Sequence, residues 1–272
     1  METASKYQSR TYKYSEVCHF RKTKELNGGL SNMASGFPIK VNGIHILTSE
    51  ALYQACRFPH LPDVQKKIID EKSPMTAKMV GKPFRSNSRP DWDSTRVDIM
   101  YWCLRVKLAQ NFITFGQLLE STCDKAIVED SSKDAFWGAV QDKKDNTILI
   151  GVNALGRLLM KLRQEYNSAN RFDLLFVEPL NIPNFFLYDE QIQVVDERQS
   201  FIDNLQKHWM LKPKQKEEHI TFKTEQPYLN GTTIQETQSV VSEPEEKFEK
   251  PKKTRAKKSK KQPIIQPQLP LT

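Results

Sequence analysis

Chemistry-bearing side chains in this chain of 272 residues recur as acids beside tryptophans: Glu50, Asp91-Trp92, Glu129, Asp134 and Trp137. Cleaving a sugar–nitrogen bond builds positive charge on the sugar ring, which a carboxylate stabilises. A second acid or base can activate water or protonate the departing base. An indole can stack on the base and exclude water. On spacing alone the same pairs also fit helix caps and core residues.

Other chemistries find less support. Gly151 and Gly156 have the outer spacing of a phosphate loop, but Arg157-Leu158 follows where Lys and Ser or Thr belong, so helix packing is expected there. No GxGxxG, GxSxG or HExxH motif occurs. The histidines at 19, 45, 60, 208 and 219 are scattered, and the cysteines at 18, 56, 103 and 123 form no CxxC pair. A reduced, cytoplasmic protein with no metal and no cofactor is expected. A membrane span needs about 20 apolar residues, and the longest aliphatic stretches, such as 174–177 and 148–152, are a handful each. No membrane partner is expected, and the N-terminus lacks the apolar segment of a secretory signal.

The elements that must position these acids follow from local patterns. Asn42-Gly43 between β-branched residues predicts a hairpin over 39–47. Thr48 or Ser49 then caps a helix carrying Glu50 in its first turn. Short helices are expected at Pro62–Glu71 and from Ser73-Pro74, the latter with Ala77 and Met79 inward, and a loop at Arg85–Pro90. Val97, Met100, Tyr101, Leu104 and Leu108 fall at helical spacing in a long helix over 91–111. The helical theme continues over Phe115–Glu120. A strand is expected at 126–129, and Ser131-Ser132 cap a turn bearing Asp134 and Trp137. Val152, Leu155, Leu159, Leu162 and Tyr166 mark a helix over 151–166.

The expected fold is α+β: a mostly helical single domain with a small β-sheet. Residues 1–15 are expected to be loose, 16–166 to form the domain, 167–211 an ordered extension, and 212–272 a disordered basic tail. The formal charge is +8, and the run 250–261 puts eight cations in twelve residues without an acid. Such a run attracts nucleic acid nonspecifically by counterion release. Its composition equally suits a nuclear-import signal or a solubilising tail.

These residues also carry a resemblance. Phe20-Arg21, Leu30-Ser31-Asn32, Thr48-Ser49-Glu50-Ala51-Leu52-Tyr53-Gln54-Ala55, Asp91-Trp92 with Arg96, Val97 and Met100, Lys107, Glu129, Asp134 with Trp137-Gly138, and Gly151 through Gly156 occur in order. Over about 12–166 the chain resembles the NADAR family of YbiA-like N-glycosidases. The resemblance implies metal-independent hydrolysis of an N-glycosidic bond and a nucleotide-type small molecule, or ADP-ribosylated nucleic acid, as substrate. One implied substrate is ADP-ribose on guanine; the alternative is a ribosylamino-pyrimidine phosphate of riboflavin synthesis. A non-catalytic ADP-ribose or NAD-binding module is a further alternative. It implies Glu50 and Asp134 as catalytic carboxylates and Trp92 and Trp137 as walls for base or sugar. Arg21 and Lys107 would hold phosphate, and Asn32 and Asn153 ribose or base. Tyr53, Gln54, Glu129 and Gly138 complete the expected binding set. Met33 stands where the family usually has an aromatic.

Overall fold

The structure, a computed structural model, describes residues 7–211. The start of the N-terminal segment, side chains 208–211 and the basic tail with its run 250–261 lie outside the described residues. The architecture is α+β, with seven α-helices and several two- or three-stranded sheets among the described residues.

The hairpin forms where the turn chemistry places it. Strands β3 (Ile39–Val41) and β4 (Ile44–Ile46) pair antiparallel, with Val41 opposite Ile44. Asn42 and Gly43 both take positive φ, as a two-residue turn of this hand requires. Helix α1 (Ser49–Ala55) follows at once, with the Thr48 hydroxyl accepting the Ala51 N–H at 3.2 Å. Every residue of α1 is buried. Helices α2 (Pro62–Ile69) and α3 (Pro74–Val80) each begin on proline, whose missing N–H costs nothing in a first turn. Of the residues expected inward on α3, Ala77 is buried but Met79 is 52% exposed, because that helix has room for only a small contact face. A 3₁₀ segment, Lys82–Asn87, occupies much of the expected loop.

The long helix α4 (Trp92–Gln110) is the axis of the core. The sequence shows one apolar stripe, but Ile99, Met100, Trp102, Cys103, Leu104, Val106, Lys107 and Leu108 are all buried, so it is covered on several faces. Helices α5 (Phe112–Glu120) and α6 (Ala154–Tyr166) pack beside it.

Two sheet features correct the sequence reading. Residues 10–13, expected to be loose, form β1 (Arg10–Lys13), which pairs antiparallel with β7 (Ile148–Gly151). Its signal is short and polar because only Tyr12 faces the core. Gly151, expected to open a helix, instead ends β7. A Cβ there would meet the Gly138 carbonyl oxygen at 2.4 Å, and the helix starts only after Asn153 has turned the chain at φ 52°. Strand β6 (Val140–Gln141) completes that three-stranded sheet. Strand β5 (Ile127–Glu129) lies parallel to β2 (Cys18–Phe20), with Phe20 opposite Glu129.

Residues 167–211 hold short strands and the helix Arg198–Leu211. Leu174, Leu175, Val177, Phe185, Leu187, Ile192 and Val195 join the same core as α1 and α4. The Trp102 indole N–H donates to the Glu178 carbonyl at 2.9 Å. The fully buried Gln65 donates to the Phe186 carbonyl at 3.0 Å and accepts the Tyr188 N–H at 2.8 Å. Among the described residues no helix is long and apolar enough to cross a membrane.

Candidate active site

Helix α1 places Glu50, Tyr53 and Gln54 at i, i+3 and i+4, so all three share one face, and the turn that follows brings Arg57 to the same side. That face opens on a cavity of about 320 Å³. The start of α4 supplies Trp92, Asp93, Arg96 and Met100 to the same cavity, and β5 with the following turn supplies Glu129, Ser131, Asp134, Phe136 and Trp137. Asn32, Met33, Lys78 and Arg85 complete much of the wall. Four carboxylates from three parts of the chain, at 50, 93, 129 and 134, thus face one space.

Their environments differ. Glu50 is 3% exposed. Its Oε1 accepts the Gln54 amide at 2.9 Å, and its Oε2 accepts the Asn32 amide. Its own N–H donates to the Asn32 carbonyl at 2.9 Å. Burial pushes its carboxyl above the usual range, against the lowering pull of Lys78 and of the two amide donors. Asp134 is exposed and fixed as the cap of its own turn: its Oδ1 accepts the N–H groups of Phe136 (3.0 Å) and Trp137 (2.9 Å). The Ser131 hydroxyl accepts the Asp134 N–H at 3.0 Å. Glu129 has no N–H or O–H donor on its carboxyl among the described residues. Burial first, then the charges of Glu50 and Asp134, push it up to about 7.

An aromatic wall stands beside the acids. The Tyr53 ring lies 5.0 Å from Trp92 and 5.6 Å, edge-on, from Trp137. Burial and the Glu50 charge raise the Tyr53 phenol, keeping it a neutral donor. Cations gather over the same wall. The Arg57 guanidinium sits 4.8 Å from the Trp92 ring and donates to the Ser88 hydroxyl at 2.6 Å. Arg96 lies 4.0 Å over Phe136. Burial, and then Arg85, lowers the Arg57 pKa, outweighing the opposing pull of Asp93.

Several residues expected at the site stand elsewhere. Lys107 is fully buried, with its ammonium donating to the carbonyls of Gly29 (2.7 Å) and Ser31 (3.1 Å). It lies 4.0 Å over the Phe115 ring and 4.5 Å over Phe37. Burial holds its pKa well below the usual lysine range. It clamps the loop that carries Asn32 and does not line the cavity. Arg21 is half exposed and pairs with Asp130 at 3.7 Å, outside the cavity. Asn153 is fully buried and both ends of its amide are bound to β5: it donates to the Ile127 carbonyl (2.8 Å) and accepts the Glu129 N–H (3.1 Å). It positions the Glu129 backbone and has no free atom for ribose. Gly138 acts similarly, because a Cβ there would stand 2.5 Å from the Glu129 carbonyl oxygen.

Arg57, Lys78 and Arg85 escaped the sequence reading, as did any site role for Arg96. The helical spacing from Glu50 to Arg57, and from Trp92 to Arg96, was a usable signal. Lys78 and Arg85 carry none, since a separate helix and the 3₁₀ segment bring them in. Among the described residues no cluster of three or more His, Cys, Asp or Glu is placed to hold a metal ion.

The NADAR domain model matches residues 19–167, more than half of the chain. The chain belongs to the NADAR family. It is 34% identical over 149 residues to the N-glycosidase YbiA of Escherichia coli K12, a match covering 55% of this chain and 88% of YbiA. It is 31% identical over 180 residues to a riboflavin biosynthesis protein of Vibrio vulnificus, covering 65% of this chain and 46% of that one. It is 34% identical over 163 residues to the chloroplastic riboflavin biosynthesis protein PYRR of Zea mays, covering 55% and 25%. The chain therefore spans about a fifth to a half of the riboflavin proteins it matches. The NMR structure of Escherichia coli YbiA, 32% identical, aligns with a TM-score of 0.47 over 55% of this chain and 83% of that one. The NADAR match includes all four cavity carboxylates; the segment after 167 lies outside it.

Proposed function

We propose that this NADAR chain hydrolyses an N-glycosidic bond in a phosphorylated, nucleotide-type substrate. The observation that carries the reading is the meeting of Glu50, Glu129 and Asp134 at one cavity walled by Tyr53, Trp92 and Trp137. Carboxylates stabilise a ribosyl cation, and indole faces hold a planar base while keeping out bulk water. Glu50, whose two amide donors favour its anion against the raising effect of burial, is suited to face the ribosyl cation from beneath the sugar. Asp134, held at the cavity by its turn, is suited to receive the proton of the attacking water. Arg57, Lys78, Arg85 and Arg96 replace Arg21 and Lys107 as the groups for phosphate.

For the substrate, we favour ADP-ribose attached to a base such as guanine. Four cations at one cavity suit a diphosphate better than a single phosphate. The basic run 250–261 would add nonspecific affinity for polymeric nucleic acid. The names of the Vibrio and maize relatives favour the second reading, a ribosylamino-pyrimidine phosphate of riboflavin synthesis.

The test is release of ADP-ribose from ADP-ribosylated guanine DNA, leaving unmodified DNA, and release of the free pyrimidine from the pyrimidine phosphate. The wild type is compared with Glu50→Gln and Asp134→Asn. Release by the wild type and its loss in both variants is expected. Tight binding of ADP-ribose with no release from either substrate would make the chain a binding module instead.

A further inference from the structure

Four carboxyls line the cavity; Asp93 is exposed to solvent, and the other three differ in what already holds them. Glu50 has an amide donor on each oxygen, and Asp134 has two backbone N–H groups on Oδ1. Such donors favour the anion. The Glu129 carboxyl has none among the described residues, yet it faces the same space as Glu50, Asp93 and Asp134. Like charges sharing one site leave a proton on the member whose anion has the fewest donors to hold it.

The backbone of Glu129 is unusually well fixed. Its N–H donates to the buried Asn153 amide at 3.1 Å, and its carbonyl accepts the Ala139 N–H at 2.8 Å. Phe20 pairs with it across the parallel ladder. Gly138, with no side chain, lets the neighbouring strand approach; a Cβ there would lie 3.2 Å from the Glu129 Cβ. A carboxyl held this firmly, but without donors on its own oxygens, is free to exchange a proton with a ligand. The groups facing it are Glu50 on α1, Asp134 on the turn, Lys78 on α3, and Asp93 and Arg96 on α4, with Arg57 and Arg85 further along the wall.

We propose that Glu129 is a third catalytic residue, the acid that gives its proton to the nitrogen of the departing base. The proposal rests on the N-glycosidase reading above. As the bond between C1′ and nitrogen breaks, its electron pair stays on nitrogen, which takes the Glu129 proton. The water oxygen bonds to C1′ and passes its proton to the Asp134 carboxylate. Solvent then carries a proton from Asp134 back to Glu129. The sum is one water added across the bond.

An acid that must start protonated makes kcat fall as pH rises. With the Glu129 pKa pushed up to about 7, that fall lies near neutrality. The experiment pairs the wild type with Glu129→Gln on two ribosyl N-glycosides of the same sugar. One has a strongly basic leaving nitrogen and one a weakly basic nitrogen that departs without help. On the first, kcat should drop by about 10²–10⁴-fold, the usual worth of a general acid. On the second the drop should be much smaller. The fall of kcat near neutral pH should vanish in the Gln variant and persist, at lower kcat, in Glu129→Asp. A melting curve confirms that each variant is folded. Equal losses on both glycosides, or wild-type kcat with the pH limb intact in Glu129→Gln, would overturn the assignment while leaving the N-glycosidase reading standing. No base release by the wild type would overturn both.

Discussion

Helix α4 passes through two regions of opposite character. Its first two turns, from Trp92 to Met100, border the cavity, where Arg96 stacks on Phe136 with no carboxylate partner. Its later turns, from Trp102 to Leu108, are sealed in the core, where Lys107 is consumed by two carbonyls and two aromatic rings. Both cations lie on one helix eleven residues apart. One is available to a ligand and the other is a structural strut. What separates them is what packs on top: the open turn 131–137 at one end, the loop 28–33 at the other. A charged residue next to a site motif is therefore not a site residue until its neighbours are known.

The strongest way to break this contrast is at the cavity. Glu50→Gln should lower kcat by at least about 10²-fold, with substrate affinity nearly kept, since the lost interaction is made mainly with the cationic transition state. Steady-state kinetics that showed only a raised KM would move Glu50 from catalysis to binding.

The next test is at the sealed end. Lys107→Met removes the ammonium from the Gly29 carbonyl and from the Ser31 carbonyl, which keeps the Ala34 N–H, at about 1–3 kcal/mol for the buried group left unmade. Denaturant melts should show that loss. Arg96→Ala should instead raise KM by about 10-fold or more, the worth of one charged hydrogen bond, and leave the melt nearly unchanged. If both variants behaved alike, the two ends of α4 would not differ as described.

A smaller effect sharpens the picture at Glu129. Its folded-state pKa is raised above that of the unfolded chain, so the folded protein binds the extra proton. Stability is then highest below the unfolded value near 4.5 and falls as pH rises towards about 7. Glu129→Gln should melt a few degrees above the wild type at pH 8, with the gap closing by pH 4. The smallest effect is expected far from the cavity. Trp102→Phe removes the N–H that meets the Glu178 carbonyl, costing about 1–3 kcal/mol with kcat unaffected.

Local chemistry made much of the fold legible. Asn42-Gly43 fixed a hairpin, Thr48 an N-cap, and the helical stripes most of the helices. Strand β1 was missed because four residues with one buried ring give no period. The helix start at Gly151 was misplaced because a tight strand approach and a left-handed Asn153 leave no mark in local propensity.

For the site, the sequence by itself determined one side of the cavity. The spacing of Glu50, Tyr53 and Gln54 on one helix face is set by 3.6 residues per turn, whatever packs around it. The Ser131–Asp134 turn is likewise local, made of side chains that bond their own backbone. Only the tertiary structure decided that Glu129 and Asp134 face Glu50, that Asn153 is spent on β5, and that Lys107 is a clamp. Those outcomes depend on burial and on partners tens of residues away. Desolvation and neighbouring charge, not residue type, set whether a carboxyl carries a proton or a cation meets a ligand.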